Sequence, residues 1–227
     1  MKVVISIGGS LLTRELTANN FKKYANVALK LWKRGHKLII VCGGGKTARE
    51  YISISKQLHA SRDLQDYVGT MATHITALTL FSALEKNGYM VMWKHLKEAK
   101  KEVKRFFGKK IIITGGYDPR VSTDYDSVEF AKLVHADIVI NASNVDGVYS
   151  DNPFRNLKAK KFKRLSYDQF IKIVKKNPQS PGQYRLFDLS AAKLIKKFKL
   201  KTIIINGNNP QEIVRAVNGK HHGTVID

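Results

Sequence analysis

Glycine clusters follow three apolar segments of this chain, and this combination is typical of sites that bind phosphate. Gly8-Gly9-Ser10 follows the first segment, Gly43-Gly44-Gly45 the second and Gly115-Gly116 the third. A β-branched run bounded by glycine predicts a strand buried on both faces. The glycines then let a ligand approach the peptide N–H groups closely. Three such junctions along one sheet edge predict a donor and an acceptor that both carry phosphate.

Two basic residues, Lys46 and Arg49, come directly after the second cluster, in the first turn of a predicted helix. Cations at this end of a helix oppose its dipole unless an anion is bound, so we favour phosphate binding over an ordinary surface role. Ile40 stands where a P-loop requires glycine. The acidic residue of a dinucleotide-binding fold is not found at the end of a following strand, so that motif is not favoured either.

Strand and helix patterns alternate along the 227 residues. This alternation predicts a mainly parallel sheet covered by helices on both faces, a three-layer α/β/α sandwich forming one domain over 1–227. The predicted strands are 3–7, 37–41, 89–93, 110–114, 137–142 and 201–205, with a strand or tail at 219–225. The predicted helices are 21–32, 46–58, 66–84, 96–107, 124–134, 162–175, 189–198 and 211–217, and a polar, turn-rich segment is predicted at 180–185.

The composition is strongly basic, with 40 Lys+Arg against 18 Asp+Glu and a formal net charge of +22. Such a charge raises nucleic acid or a lipid surface as a partner. The basic residues are spread over several predicted helices, however, and no nucleic-acid recognition motif accompanies them. We therefore expect a solvated surface that steers anionic substrates, without a nucleic-acid or membrane partner. A single cysteine, Cys42, and no secretory or membrane-spanning pattern predict a cytoplasmic location.

Polar loops follow the predicted strands at 110–114 and 137–142. Ser122 or Thr123 can cap the next helix, and this capping role is compatible with hydroxyl contacts to a phosphate. The loop at 143–153 is a turn by composition alone.

The N-V-D-G-V-Y sequence at 144–149, followed by an acidic residue and proline, resembles the nucleotide-binding loop of the amino acid kinase superfamily. Other marks of that superfamily occur in order. They are I-G-G-S at 7–10, G-G-G-K-T-A-R at 43–49, T-G-G before S-T-D, F-D-L-S-A-A at 187–192 and the ending H-G-T-V-I. Within the superfamily the chain is most similar to the archaeal-type UMP kinases, and the resemblance covers essentially the whole chain.

This resemblance implies Mg²⁺-dependent transfer of the ATP γ-phosphoryl group to UMP, with an acceptor half over about 1–140 and a donor half over about 141–227. It assigns ATP binding to Gly8, Gly9, Ser10, Gly45, Arg49, Ser143, Asp146, Tyr149, Asp151 and Asn152. It assigns UMP binding to Gly44, Asp66, Gly69, Thr73, Tyr117, Asp118, Pro119, Arg120, Val121, Ser122 and Thr123. It further implies that Mg²⁺ arrives with ATP, without a metal site of the protein's own, and that the chain forms a homo-oligomer, a hexamer being one such form.

Three residues are expected to act on the transferred phosphoryl group: Lys46, Arg49 and Asp188. From the residues alone, Asp188 is equally well interpreted as the N-cap of the helix at 189–198, and the resemblance favours the site. Lys193 is a weaker candidate. A nucleotide phosphate has a second pKa of about 6, so it is already an anionic nucleophile and needs no general base.

Four residues depart from the family pattern: Ser6, His74, Asp126 and Asn152. They leave open a kinase of the same fold with another small phosphate or carboxylate acceptor. A non-catalytic protein that binds nucleotides or nucleic acid is a further alternative.

Overall fold

The computed structural model describes residues 1–153, 156–176 and 187–227, so the predicted turn-rich segment at 180–185 lies outside the described residues. The strands are β1 (Lys2–Ile7), β2 (Lys37–Cys42), β3 (Gly88–Val91), β4 (Ile111–Thr114), β5 (Ile138–Ser143), β6 (Val148–Tyr149), β7 (Lys161–Phe162), β8 (Arg164–Leu165), β9 (Thr202–Asn206) and β10 (Thr224–Ile226). The helices are α1 (Gly9–Thr13), α2 (Ala18–Lys33), α3 (Gly45–Gln57), α4 (Arg62–Ser82), α5 (Leu96–Phe106), α6 (Thr123–Val134), α7 (Tyr167–Lys176), α8 (Leu189–Phe198) and α9 (Gln211–Val217).

The main sheet has the strand order β3-β4-β2-β1-β5-β9-β10-β8. Strands β3, β4, β2, β1, β5 and β9 run parallel, and β10 pairs antiparallel with β9. At the centre Ile5 of β1 pairs with Ile40 of β2 on one side and Ile140 of β5 on the other. The predicted parallel sheet is confirmed, and its parallel strands all end at one edge.

Helices cover both faces of the sheet because the central strands are apolar on both sides. Val3, Ile5 and Ile7 of β1 pack into a core with residues of α2, α4 and α9. Val4 points the other way, into a second core built with residues of α5, α6, α7 and α8. These two cores confirm the predicted three-layer α/β/α arrangement.

The structure differs from the sequence-based expectation in its short elements. A helix, α1, begins at Gly9 directly after β1, where only a glycine loop was expected. Strands β6, β7 and β8 have two residues each, too few for a periodic pattern to be recognised. Helix α4 begins at Arg62 because Ser61 caps it, its Oγ accepting a hydrogen bond from the Leu64 amide at 3.3 Å. Over the described ranges, none of the helices has both the length and the apolar character needed to cross a membrane.

Candidate active site

Loops carrying the glycine clusters and the polar segments meet at the edge where the parallel strands end. Gly8 follows β1, Gly43 follows β2 and Gly115 follows β4, while Asn144 and Gly207 follow β5 and β9. In open α/β sheets, ligands bind at this carboxyl edge, beside the strand where the chain order reverses. Here that strand is β1, which lies between β2 and β5.

The first two glycine clusters pack directly against each other. The Gly43 amide donates to the Ile7 carbonyl at 2.9 Å. A Cβ atom on Gly9 would lie 2.1 Å from the Gly45 nitrogen, and Gly45 itself has φ of +56°. At position 9 only glycine fits, because there is no space for a side chain. At position 45 only glycine fits both because space is lacking and because the backbone is left-handed. The contact places the N-termini of α1 and α3 side by side, with their amides at the same edge.

A cavity of about 410 Å³ lies beside this contact and is strongly basic. It is lined by Ser10, Leu11, Arg14, Lys46, Arg49, Asn144 and Asn208. Helix α3 has no acidic residue in its first turn, and its N-cap residue, Gly44, has no side chain. The positive end of the helix dipole therefore adds to the charge of the three cations. Lys46 is only loosely paired, at 3.6 Å from the exposed Glu50 carboxylate. This arrangement suits a polyphosphate.

A second cavity of about 420 Å³ shares Asn208 with the first and is rich in side-chain amides. Its lining residues are Asp146, Asn206, Asn208, Asn209, Glu212 and His222. Asp146 accepts hydrogen bonds from the Tyr149 hydroxyl at 2.8 Å and from the Lys161 ammonium at 2.7 Å. Burial opposes ionisation of this carboxyl, but these two bonds hold its pKa below the usual value. Fixed amide and carboxylate groups of this kind can recognise a nucleobase and ribose hydroxyls.

A smaller cavity of about 250 Å³ lies between α3, α4 and the loop that joins β4 to α6. All the predicted acceptor residues except Tyr117 and Arg120 line it, namely Gly44, Asp66, Gly69, Thr73, Asp118, Pro119, Val121, Ser122 and Thr123. Gly116, Thr70, Ala48 and Ile52 complete its walls. Gly44 and Ala48 belong to the segment that carries Lys46 and Arg49, so the cations of the basic cavity lie next to this one.

Tyr117 and Arg120 have other environments. The Tyr117 side chain is buried, and its hydroxyl donates to the Val91 carbonyl at 3.1 Å and accepts from Thr114 Oγ1 at 2.7 Å. Its ring therefore belongs to the core, and Tyr117 does not line the cavity. Arg120 points to solvent, 80% exposed, where it pairs with Asp118. The sequence pattern placed both on a polar loop, and only the packing of that loop distinguishes inward from outward side chains.

Comparisons with known proteins agree with this fold. A family model described as the amino acid kinase family matches residues 1–206. The chain belongs to the amino acid kinase family. A uridylate kinase of Methanococcus vannielii is 40% identical over 228 residues, covering 100% of this chain and 99% of the relative. The crystal structure of uridylate kinase from Archaeoglobus fulgidus matches with a TM-score of 0.88 and 36% identity, over 100% of both chains. A UMP kinase structure from Bacillus anthracis matches with a TM-score of 0.84 and 23% identity, over 100% of this chain and 95% of that one. At this identity the match supports the fold alone.

The remaining donor residues predicted for this amino acid kinase line none of the three cavities. A Cβ on Gly8 would lie 3.6 Å from Ser143 Cα, so these two residues are neighbours. Tyr149 contacts Asp146, as described above, but does not itself line a cavity. The Asp151 carboxylate accepts from the Asn152 amide at 2.7 Å and from Asn156 Nδ2 at 2.9 Å. This pair lies outside the three cavities.

Asp188 caps helix α8 of the amino acid kinase. Its Oδ1 accepts from the Ala191 amide at 2.9 Å and from the Ser190 hydroxyl. The capping interpretation therefore describes the structure. Asp188 lines none of the three cavities.

Three polar residues near the site were not identified from the sequence. Arg14 and Asn208 follow α1 and β9 and reach the basic cavity. Asp124 accepts from Ser6 Oγ at 3.2 Å and from Asn141 Nδ2 at 2.7 Å. It thereby fixes the start of α6 to the ends of β1 and β5. The only sequence signal for Asp124 was its place in S-T-D, where an acidic residue also suits a helix first turn.

No cluster of three or more His, Cys, Asp or Glu side chains forms a metal site within residues 1–153, 156–176 and 187–227.

Proposed function

We propose that this chain is a UMP kinase that transfers the γ-phosphoryl group of MgATP to UMP, giving ADP and UDP. The observation that carries the proposal is that the start of α3 lies between two cavities: Lys46 and Arg49 line the basic one, and Gly44 and Ala48 line the smaller polar one. Two anionic substrates bound in these cavities would meet at this first turn of α3. Full-length relatives that are named uridylate kinase support the same activity.

On the donor side, we assign the ATP phosphates to the basic cavity and the adenosine to the amide-rich cavity. Amides of the glycine loops, Lys46 and Arg49 would bind the phosphates, and Arg14 adds a further cation. Mg²⁺ enters with ATP as part of the substrate, bound by the phosphate oxygens. Asp146 and Asn206 line the amide-rich cavity, where they would accept hydrogen bonds from the nucleoside and donate hydrogen bonds to it.

On the acceptor side, we assign UMP to the cavity between α3, α4 and the β4–α6 loop. The Asp66 carboxylate would accept from the ribose hydroxyls. Ser122 and Thr123 stand at the N-terminus of α6, where hydroxyls and the helix dipole favour a phosphate. Arg49, one helical turn beyond Gly45, would bind the phosphoryl group as it passes between the two substrates.

The chemistry asked of the protein is positioning and charge neutralisation, as in other phosphoryl transfers. The UMP phosphate is a sufficient nucleophile at neutral pH because its second pKa is about 6. Lys46 and Arg49 would offset the repulsion between two polyanions, and Asp188 would orient lysine side chains or metal-bound water. We retain the division into an acceptor half over about 1–140 and a donor half over about 141–227 as part of this proposal, with Ser10, Lys46 and Arg49 reaching the donor from the first half.

We also propose a homo-oligomer assembled through α3 and α4. Helix α3 buries none of its residues within the chain. Large apolar side chains are exposed along the two helices: Tyr51, Ile54, Leu58, Ile75 and Leu78. Exposed apolar side chains in such numbers are typical of a subunit interface. Light scattering on the purified protein, with Ile54→Glu as the disrupting variant, measures the assembly directly.

The experiment that tests the activity is ADP release measured with a panel of acceptors: UMP, CMP, AMP, GMP and small phosphorylated or carboxylate compounds. We expect a clear preference for UMP. Arg49→Ala should lower kcat/KM by roughly 10²–10³-fold, while Arg34→Ala, an exposed arginine at the end of α2, should leave it unchanged. A preference for another acceptor would refute the UMP assignment. Salt-dependent nucleic-acid binding without ATP turnover would refute the kinase itself.

A further inference from the structure

Three side chains hold three successive backbone groups at the start of the acceptor loop. The Gly116 amide donates to Thr73 Oγ1 at 2.7 Å. The Gly116 carbonyl accepts from His74 Nε2 at 2.7 Å. The next amide, that of Tyr117, donates to Asp126 Oδ2 at 3.0 Å. Thr73 and His74 come from α4 and Asp126 from α6, so the Gly116–Tyr117 peptide is held from two sides.

The two titratable members of this arrangement are almost completely buried. His74 is 4% exposed and Asp126 is 1% exposed. His74 Nδ1 and Asp126 Oδ1 have no hydrogen-bond partner among the described residues. Burying polar groups with an unsatisfied atom is costly, and apolar residues of similar size would avoid that cost. The atoms that are satisfied bind opposite ends of the same peptide bond.

Chemistry dictates how each of them binds. A carbonyl oxygen only accepts hydrogen bonds, so Nε2 of His74 carries a proton. Nδ1 is buried without a partner, which favours the neutral ring with no proton on that nitrogen. Burial lowers the pKa of His74, which agrees with this tautomer. Asp126 accepts from the Tyr117 amide through one oxygen, and this contact is available whether or not the other oxygen is protonated. The Tyr117 ring packs edge-on against the His74 ring, with centroids 5.5 Å apart.

The held peptide is part of the acceptor cavity. Gly116 and Thr73 line it directly, and the loop from Asp118 to Thr123 forms one wall. A Cβ on Gly115 would lie 2.4 Å from Thr73 Oγ1 and 2.7 Å from the backbone nitrogen of His74. The loop therefore enters the site tightly packed against α4, and the direction in which it leaves depends on the orientation of the Gly116–Tyr117 peptide.

We propose that His74 and Asp126 are positioning residues for the acceptor, which hold the Gly116–Tyr117 peptide so that the β4–α6 loop is preformed around the substrate. This inference rests on the proposed function, which assigns the cavity to UMP. Neither residue lines any of the three cavities, so both act through the loop. When either hydrogen bond is lost, a smaller fraction of the protein has the loop in its binding-competent form. The apparent affinity for UMP then falls in proportion to that fraction.

Paired variants separate hydrogen bonding from packing. His74→Gln keeps an N–H donor near Nε2, whereas His74→Met has a similar length and no donor. Asp126→Asn keeps an oxygen acceptor, whereas Asp126→Leu has a similar shape and none. We expect the Met and Leu variants to raise KM for UMP roughly five- to twentyfold. KM for ATP and kcat at saturating UMP should stay within about twofold, and the Gln and Asn variants should bind UMP nearly as the parent protein does.

A merely structural role gives a different result. The proposal would be overturned if KM for UMP and KM for ATP rose equally and kcat fell in parallel with the melting temperature. It would also be overturned if the Gln and Asn variants were as impaired as the Met and Leu variants. Amide hydrogen exchange on the parent protein is an independent measurement if a variant does not fold. The Gly116 and Tyr117 amides should exchange more slowly than those of Asp118 and Ser122, and fast exchange at both would contradict the proposal. The acceptor panel is run first, so that a failure to phosphorylate UMP refutes the proposed function separately from the positioning role of His74 and Asp126.

Discussion

Asp126 should make the stability of the protein fall as pH rises, and Asp126→Asn should remove this dependence. Burial raises the pKa of the Asp126 carboxyl from 3.8 to about 7, opposed by the hydrogen bond from the Tyr117 amide. Asp118 and Glu129 raise this pKa further, and Lys100 lowers it. One carboxylate oxygen has no partner, so the ionised form is poorly compensated in the folded state.

The magnitude follows from proton linkage. Between the two pKa values the folded protein holds a proton that the unfolded chain has released, so stability decreases by about 1.4 kcal/mol per pH unit. From about pH 5 to pH 8 the parent protein should therefore lose roughly 3 kcal/mol through this group. The stability contribution is fully present below the unfolded pKa and is lost as pH rises through the folded pKa of about 7. Asparagine keeps the acceptor for the Tyr117 amide and cannot ionise.

The assay is urea unfolding of both proteins at several pH values and one protein concentration, because assembly adds a concentration-dependent term. The difference in unfolding free energy, Asn variant minus parent, should increase by about 3 kcal/mol between pH 5 and pH 8. Other groups titrate in both proteins and cancel in this difference. A difference that is flat with pH would refute the claim that Asp126 is protonated in the folded protein below neutral pH.

Three further predictions concern the donor side. Tyr24→Phe removes a buried hydroxyl that donates to the Gly207 carbonyl at 2.9 Å, so urea unfolding should show a loss of about 1–2 kcal/mol; unchanged stability would contradict it. Gly9→Ala would place a Cβ 2.1 Å from the Gly45 nitrogen, so the loops must separate, and we expect a lower melting temperature together with a higher KM for ATP. Asn208→Ala should raise KM for ATP about tenfold without changing KM for UMP, because Asn208 lines both donor cavities; equal effects on both substrates in steady-state kinetics would disprove the assignment.

The sequence by itself determined the architecture and the edge of the sheet at which the site lies. Continuous β-branched runs such as Ile111–Ile113 can only be buried on both faces, and their alternation with helix patterns leaves a parallel sheet as the solution. Glycines after those runs marked the strand ends, because tight turns and close backbone approach need them. Local chemistry was therefore sufficient to predict the main strands along the chain, and the family resemblance implied most of the residues that line the acceptor cavity.

Only the tertiary structure decided which side chains face a cavity and which face the core. Tyr117 and Asp118 are adjacent on one polar loop, yet Tyr117 is buried and Asp118 lines the acceptor cavity. Arg14 and Asn208 are 194 positions apart and meet in one cavity. His74 and Asp126 reach one peptide bond from two helices. Such contacts depend on how helices pack on a twisted sheet, and no local periodicity encodes that packing.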